Sequence, residues 1–222
     1  MSSSRFASLL YLLTFAFLLP AAFGVNPIFH FCSNAGNFSA YDPYEGNLKQ
    51  AHLLPLISSS SLRGDVSTPD CQTCVVEAGN EIRKLCPSTK GAIIWYDNCL
   101  LKYSDTEFFG QIDNKNMFYL WNGRVVSDPQ SFNQKTKELL SQLANEAYAT
   151  PKLYATRETE LYGSPKLYGL TQCTRDLSSS DCKKCLDGII GKLPSCCDGQ
   201  EGGRVVGGSC NFRYEIYPFV KA

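Results

Sequence analysis

Cysteine spacing constrains this 222-residue chain more than any other feature. A shift of 111 residues lays Cys71 on Cys182, Cys74 on Cys185, Cys86 on Cys197 and Cys99 on Cys210. The same shift lays Asp65 on Asp176, Ser67 on Ser178, Asp70 on Asp181, Gly91 on Gly202 and Tyr103 on Tyr214. An ungapped match of this kind marks an internal repeat, so the chain holds two copies of one module of about 100 residues, an ordinary domain size.

Each copy opens on a helical pattern, Leu48, Leu53, Leu54 and Ile57 in the first and Phe132, Leu139, Leu140, Leu143 and Ala147 in the second. A second helix is signalled by Ser67-x-x-Asp70 and Ser178-x-x-Asp181, where the serine caps and the acid suits the helix dipole. Cys-x-x-Cys then sets two sulfurs on one helix face, and Val75, Ala78, Ile82 and Leu85 continue an apolar stripe. Strand-like runs follow at Ala92–Tyr96 and Cys99–Tyr103, and at Gly203–Val206 and Cys210–Tyr217. The fold class is α+β: tandem modules, each with two helices packed on a small antiparallel sheet and held by disulfides.

The leading helices align at a different offset, 86, since Leu53-Leu54 falls on Leu139-Leu140. The first copy therefore lacks about 25 residues between Ile57 and Leu62, where the second carries the strand-like Lys152–Ala155 and Lys166–Leu170. About two strands are expected to be missing from the first module. Leu62 also stands where the second copy has Cys173, so Cys71 loses its repeat-inferred partner. The boundaries read 1–24 for a signal peptide, 25–109 for the shortened first module, 110–129 for a linker and 130–222 for the second module.

Met1–Gly24 has the form of a secretory signal: Arg5, an apolar run over Leu9–Leu19, and small residues at Ala22 and Gly24. The run is too short to span a bilayer, and no second stretch of spanning length follows. The mature chain is expected outside the cell, with no membrane span and with all 11 cysteines. That density in an oxidising compartment points to disulfides. Zinc is disfavoured because only His30 and His52 accompany the Cys-x-x-Cys pairs. Asn37-Phe38-Ser39 is the one N-glycosylation sequon.

Composition excludes several functions. With 21 basic and 21 acidic residues the chain has no charge excess to drive nucleic-acid or membrane-surface binding. It carries no nucleophile elbow, phosphate loop, zinc-protease motif or dinucleotide fingerprint. No cofactor, metal or catalytic residue is expected, and the chain reads as a non-enzyme.

At Arg63-Gly64-Asp65-Val66-Ser67, Ile94-Trp95-Tyr96-Asp97-Asn98-Cys99 and Cys210-Asn211-Phe212-Arg213-Tyr214-Glu215 the chain resembles the plant cysteine-rich repeat secretory proteins. Their module, the stress-antifungal or ginkbilobin-homologous domain (domain of unknown function 26), carries Cys-x8-Cys-x2-Cys, seen here as Cys173, Cys182 and Cys185. The resemblance implies bridges Cys32–Cys86, Cys74–Cys99, Cys173–Cys182 and Cys185–Cys210. It leaves Cys71, Cys196 and Cys197 unassigned; an adjacent Cys196–Cys197 bridge is one option.

Mannose binding in ginkbilobin, a member of that family, uses an Asn after the first Cys, an Arg before the last Cys and a Glu after it. Such donors and acceptors can bracket vicinal hydroxyls. In the second copy the Arg and Glu positions are Arg204 and Glu215, with the Asn expected to be lost along with its Cys; a cross-strand ion pair is the alternative use of the two. In the first copy the positions hold Ser33, Ile93 and Ser104. Two functions follow as expectations. One is a secreted defence protein, antifungal and glycan binding through the second module. The other is an apoplastic interaction module that associates with receptor-like kinase ectodomains or with itself, without a sugar site; Phe108-Phe109 and Phe118-Tyr119-Leu120-Trp121 are its candidate contacts, or pack between the modules.

Overall fold

Both capping signals open helices. Ser67 Oγ accepts from the Asp70 amide at 3.3 Å and Ser178 Oγ from the Asp181 amide at 3.1 Å. A computed structural model describes residues 26–34, 36–39, 58–161 and 165–220. The signal segment Met1–Gly24 and the first copy's leading helix over Leu48–Ile57 lie outside the described residues. In chain order the elements are β1 (Phe29–Cys32), β2 (Ser58–Leu62), α1 (Thr68–Leu85), β3 (Gly91–Trp95), β4 (Cys99–Ser104), β5 (Met117–Trp121), α2 (Pro129–Ala147), β6 (Tyr154–Glu160), β7 (Lys166–Cys173), α3 (Ser179–Ile190), α4 (Leu193–Cys196), β8 (Gly203–Gly207) and β9 (Cys210–Glu215).

Two antiparallel sheets result, ordered β1-β3-β4-β2 and β5-β8-β9-β7-β6. Their registers repeat: Leu62 faces Cys99 as Cys173 faces Cys210. β2 is thus the counterpart of β7, and the expected loss of about two strands is, among the described residues, the loss of β6 alone. The polar Ser58–Ser61 run carries no strand periodicity of its own; hydrogen bonding to β4 makes it one. The segment read as a linker likewise supplies β5, which pairs with β8 at the second sheet's edge.

Each core lies between helix and sheet. Cys74, Ala78 and Ile82, spaced for one face of α1, pack on Ala92, Ile94, Leu101 and Tyr103. Leu139, Leu140 and Leu143 of α2 and Leu186, Ile189 and Ile190 of α3 pack on Val205, Phe212 and Tyr214. Bridges Cys74–Cys99 and Cys185–Cys210 tie α1 to β4 and α3 to β9, each with Cα atoms 6.1 Å apart. Cys32 is joined to Cys86 and Cys173 to Cys182, at Cα separations of 5.4 and 5.6 Å. Cys196 and Cys197 are joined as neighbours, and Cys71 is free and half-buried.

β3 is buried on both faces. Ala92 and Ile94 face α1, whereas Ile93 and Trp95, with Leu100, Phe31 and Phe118, pack on Val206 of the second module. Such a strand has no solvent face and therefore no polar alternation. Polar links border this contact. The Trp95 indole donates to the Gly207 carbonyl at 3.2 Å, Lys102 pairs with Asp113 at 2.7 Å, and the Gly110 amide donates to Asp176 at 2.9 Å. Gly64 lies under the Tyr154 ring, where a Cβ would fall 2.3 Å from the ring. No helix of the described residues is long and apolar enough to cross a membrane.

Candidate functional site

Strand alternation sorts the second sheet's residues. Val205, Phe212 and Tyr214 go to the helices, and Arg204, Val206, Arg213 and Glu215 go to the face turned toward the first module. Register then decides the charge partners. Arg204 stands opposite Arg213, with Glu215 two residues farther along β9. The cross-strand ion pair between Arg204 and Glu215 is not formed. Instead Arg204 Nη1 donates to Oδ1 of Asp97, in the β3–β4 turn of the first module, at 2.8 Å, and Arg213 Nε donates to Glu215 Oε1 at 3.0 Å. Among the described residues, Arg204 Nε and Glu215 Oε2 are buried without a hydrogen-bond partner. Burial lowers the Arg204 pKa from its ordinary value, against the opposing pull of Asp97, and the guanidinium remains charged. Glu215 Oε2 lies where a Gly202 Cβ would come within 1.9 Å, so glycine at 202 is what admits the carboxylate.

The asparagine expected to be missing is present. In the first sheet Cys32 faces Ala92, and the Ser33 amide donates to Gly91 O at 2.8 Å. In the second, Trp121 faces Gly203, and the Asn122 amide donates to Gly202 O at 3.1 Å. Since Gly91 and Gly202 are repeat partners, Trp121 takes the place of Cys32 and Asn122 that of Ser33. Only the cysteine has been replaced. The signal was a third offset, 89, which lays Phe29-His30-Phe31-Cys32-Ser33 on Phe118-Tyr119-Leu120-Trp121-Asn122.

Asn122, Arg204, Arg213 and Glu215 line one cleft of about 370 Å³, together with Ile28 and Asp97 of the first module. Its two arginines and two carboxylates cancel in charge, and no Ser, Cys or His lines it among the described residues. This chemistry suits hydrogen bonding to a polyol. At the corresponding positions of the first module, Ile93 is buried against the second module and Ser104 hydrogen-bonds Thr106. His30 approaches the sulfurs of Cys32 and Cys86, but both belong to a bridge and offer no thiolate to a metal. Asn37 is exposed, at an isolated bridge to Thr89.

The salt stress response/antifungal family model matches residues 59–106 and 122–217. The chain is 52% identical over 244 aligned positions to an antimicrobial ginkbilobin-2-like protein of Castanea crenata, covering 100% of both. It is 52% identical over 217 positions to cysteine-rich repeat secretory protein 38 of Arabidopsis thaliana, covering 87% of this chain and 86% of that one. The fold is that of the tandem DUF26 ectodomain of the Arabidopsis cysteine-rich receptor-like protein PDLP8, with TM-score 0.71 at 24% identity over 86% of this chain and 98% of that one. The corresponding PDLP5 ectodomain gives TM-score 0.66, covering 87% of this chain and 100% of that one. The repeat, the bridged helix–sheet modules and these matches agree: the chain belongs to the salt stress response/antifungal (DUF26) family of extracellular cysteine-rich repeat secretory proteins.

Proposed function

We propose that the protein is a secreted defence protein whose second module binds a glycan through Asn122, Arg204 and Glu215, with mannose the sugar that the family resemblance implies. The observation that carries this reading is the convergence of all three side chains on one cleft, although they come from three separate strand ends. Its antifungal side is supported by the antimicrobial name of the chestnut relative. A glycan array probed with the mature protein, followed by titration with methyl α-mannoside, tests it. Arg204→Ala or Glu215→Ala should abolish binding, since each removes charge-assisted hydrogen bonds of roughly 1.5–3 kcal/mol. An array without mannose-type hits would overturn the reading.

A second reading, an extracellular protein-interaction module, is favoured by a different observation. β5 is an edge strand on which Tyr119, Leu120 and Trp121 are exposed, the last 57%. It predicts capture of receptor-like ectodomains by the wild type and not by a Tyr119→Lys, Trp121→Lys variant. Asn37, exposed within its sequon, is proposed as the glycosylation site; peptide mass mapping with and without glycosidase treatment checks it.

A further inference from the structure

The sugar-site reading assigns recognition to the second module alone, yet the cleft has a wall from the first. Asp97 reaches across from the β3–β4 turn and holds Arg204 Nη1 at 2.8 Å. Its side chain is 56% exposed, and among the described residues the one hydrogen bond it accepts is that from Arg204. The turn is fixed in place, because Tyr96 N donates to Cys99 O at 2.8 Å and the neighbouring Trp95 indole is hydrogen-bonded to Gly207. Nothing in the repeat supplies this group twice, for the position matching Asp97 in the second copy is Gly208.

Charge sets what such a cleft accepts. Asp97 and Glu215 balance Arg204 and Arg213, and nearby Arg63 is neutralised by Asp65 at 2.6 Å. A neutral polyol exchanges water for these donors and acceptors without unbalancing them. A sugar carboxylate would add a third negative charge beside two protein carboxylates, each already paired with one of the two arginines.

We infer that the site is composite: Asp97 of the first module is a sugar-contacting acceptor that also positions Arg204, and it commits the cleft to neutral pyranosides over uronic acids. This rests on the sugar-binding reading above and extends it by naming the fourth residue and the excluded ligand class. Asp97→Asn keeps the shape of the side chain and leaves the cleft with one net positive charge.

The test titrates the whole mature protein with methyl α-mannoside and with methyl α-glucuronoside, following heat or saturation-transfer signals. Wild type should bind the mannoside and not the uronoside. Asp97→Asn should weaken the mannoside by about tenfold or more, the worth of one charge-assisted contact, and should acquire uronoside binding. That gain is a readout that misfolding cannot produce. If Asp97→Asn matches wild type on both ligands while Glu215→Ala loses the mannoside, the composite site is wrong and the second-module reading stands. If neither wild type nor variant binds either sugar, both fall.

Discussion

Replacing Trp95 tests whether the two modules are one cooperative unit. The residue is 2% exposed; its ring packs edge-on to Phe31 and Phe118 at centroid distances of 5.6 and 5.2 Å and donates to Gly207 O. Truncation to Ala removes roughly 200 Å² of aromatic burial, about 5 kcal/mol at 25 cal/mol per Å² as an upper bound. Measured aromatic-to-Ala losses in cores run about 3–5 kcal/mol, and that is the expected range here. Trp95→Phe keeps the edge-on packing and loses the indole hydrogen bond, so about 1–1.5 kcal/mol is expected. Because the chain has two tryptophans and Trp121 is exposed, Trp121→Phe should be near-neutral and leaves Trp95 as the only indole reporter. In the Trp121→Phe background, guanidinium unfolding followed by far-UV circular dichroism and indole fluorescence should give one coincident transition, and circular dichroism of Trp95→Ala should show that transition moved to lower denaturant. A loss below about 1 kcal/mol, or a transition that splits with its first-module part unmoved, would refute the account of β3 as a strand buried by two modules.

Acid should loosen the same interface. Burial alone would raise the Asp113 pKa, but hydrogen bonds from Lys102 and Asn116 outweigh it and hold it below its ordinary value. A carboxylate depressed in the folded state contributes fully above its unfolded pKa of about 3.9 and loses that contribution as pH falls through the lower folded value. Melting temperature should therefore drop more steeply below about pH 4 in wild type than in Lys102→Met. Gly202→Ala should displace the Glu215 carboxylate and abolish mannoside binding, with the fold intact by circular dichroism. Trp121→Cys restores the residue that Cys32 provides in the first sheet. Thiol mapping should find it bridged to Cys197 with Cys196 released, and a Cys196–Cys197 peptide retained at full yield would argue against the matched registers.

What is local or repeated can be read from the order of residues alone. The 111-residue offset, the serine caps at Ser67 and Ser178 and the apolar faces of α1, α2 and α3 specify two copies of a helix-on-sheet module. Each rests on spacing within a short window, which periodicity and capping chemistry reveal. Gly91–Trp95, apolar throughout, even carried a mark of its second buried face. What depends on strand pairing is settled only when the sheets assemble. Ser58–Leu62 and Met117–Trp121 are strands because β4 and β8 offer them edges, and no nearest-neighbour preference for a serine run states that. The candidate site is of this second kind. Asn122 becomes the missing asparagine only through its register on Gly202, and Arg204 takes Asp97 rather than Glu215 only because the first module's turn lies over the second sheet. Hydrogen-bond register and inter-module packing bring together residues about 80–110 positions apart, and the identity of a distant partner is not carried by the residues on either side of a side chain.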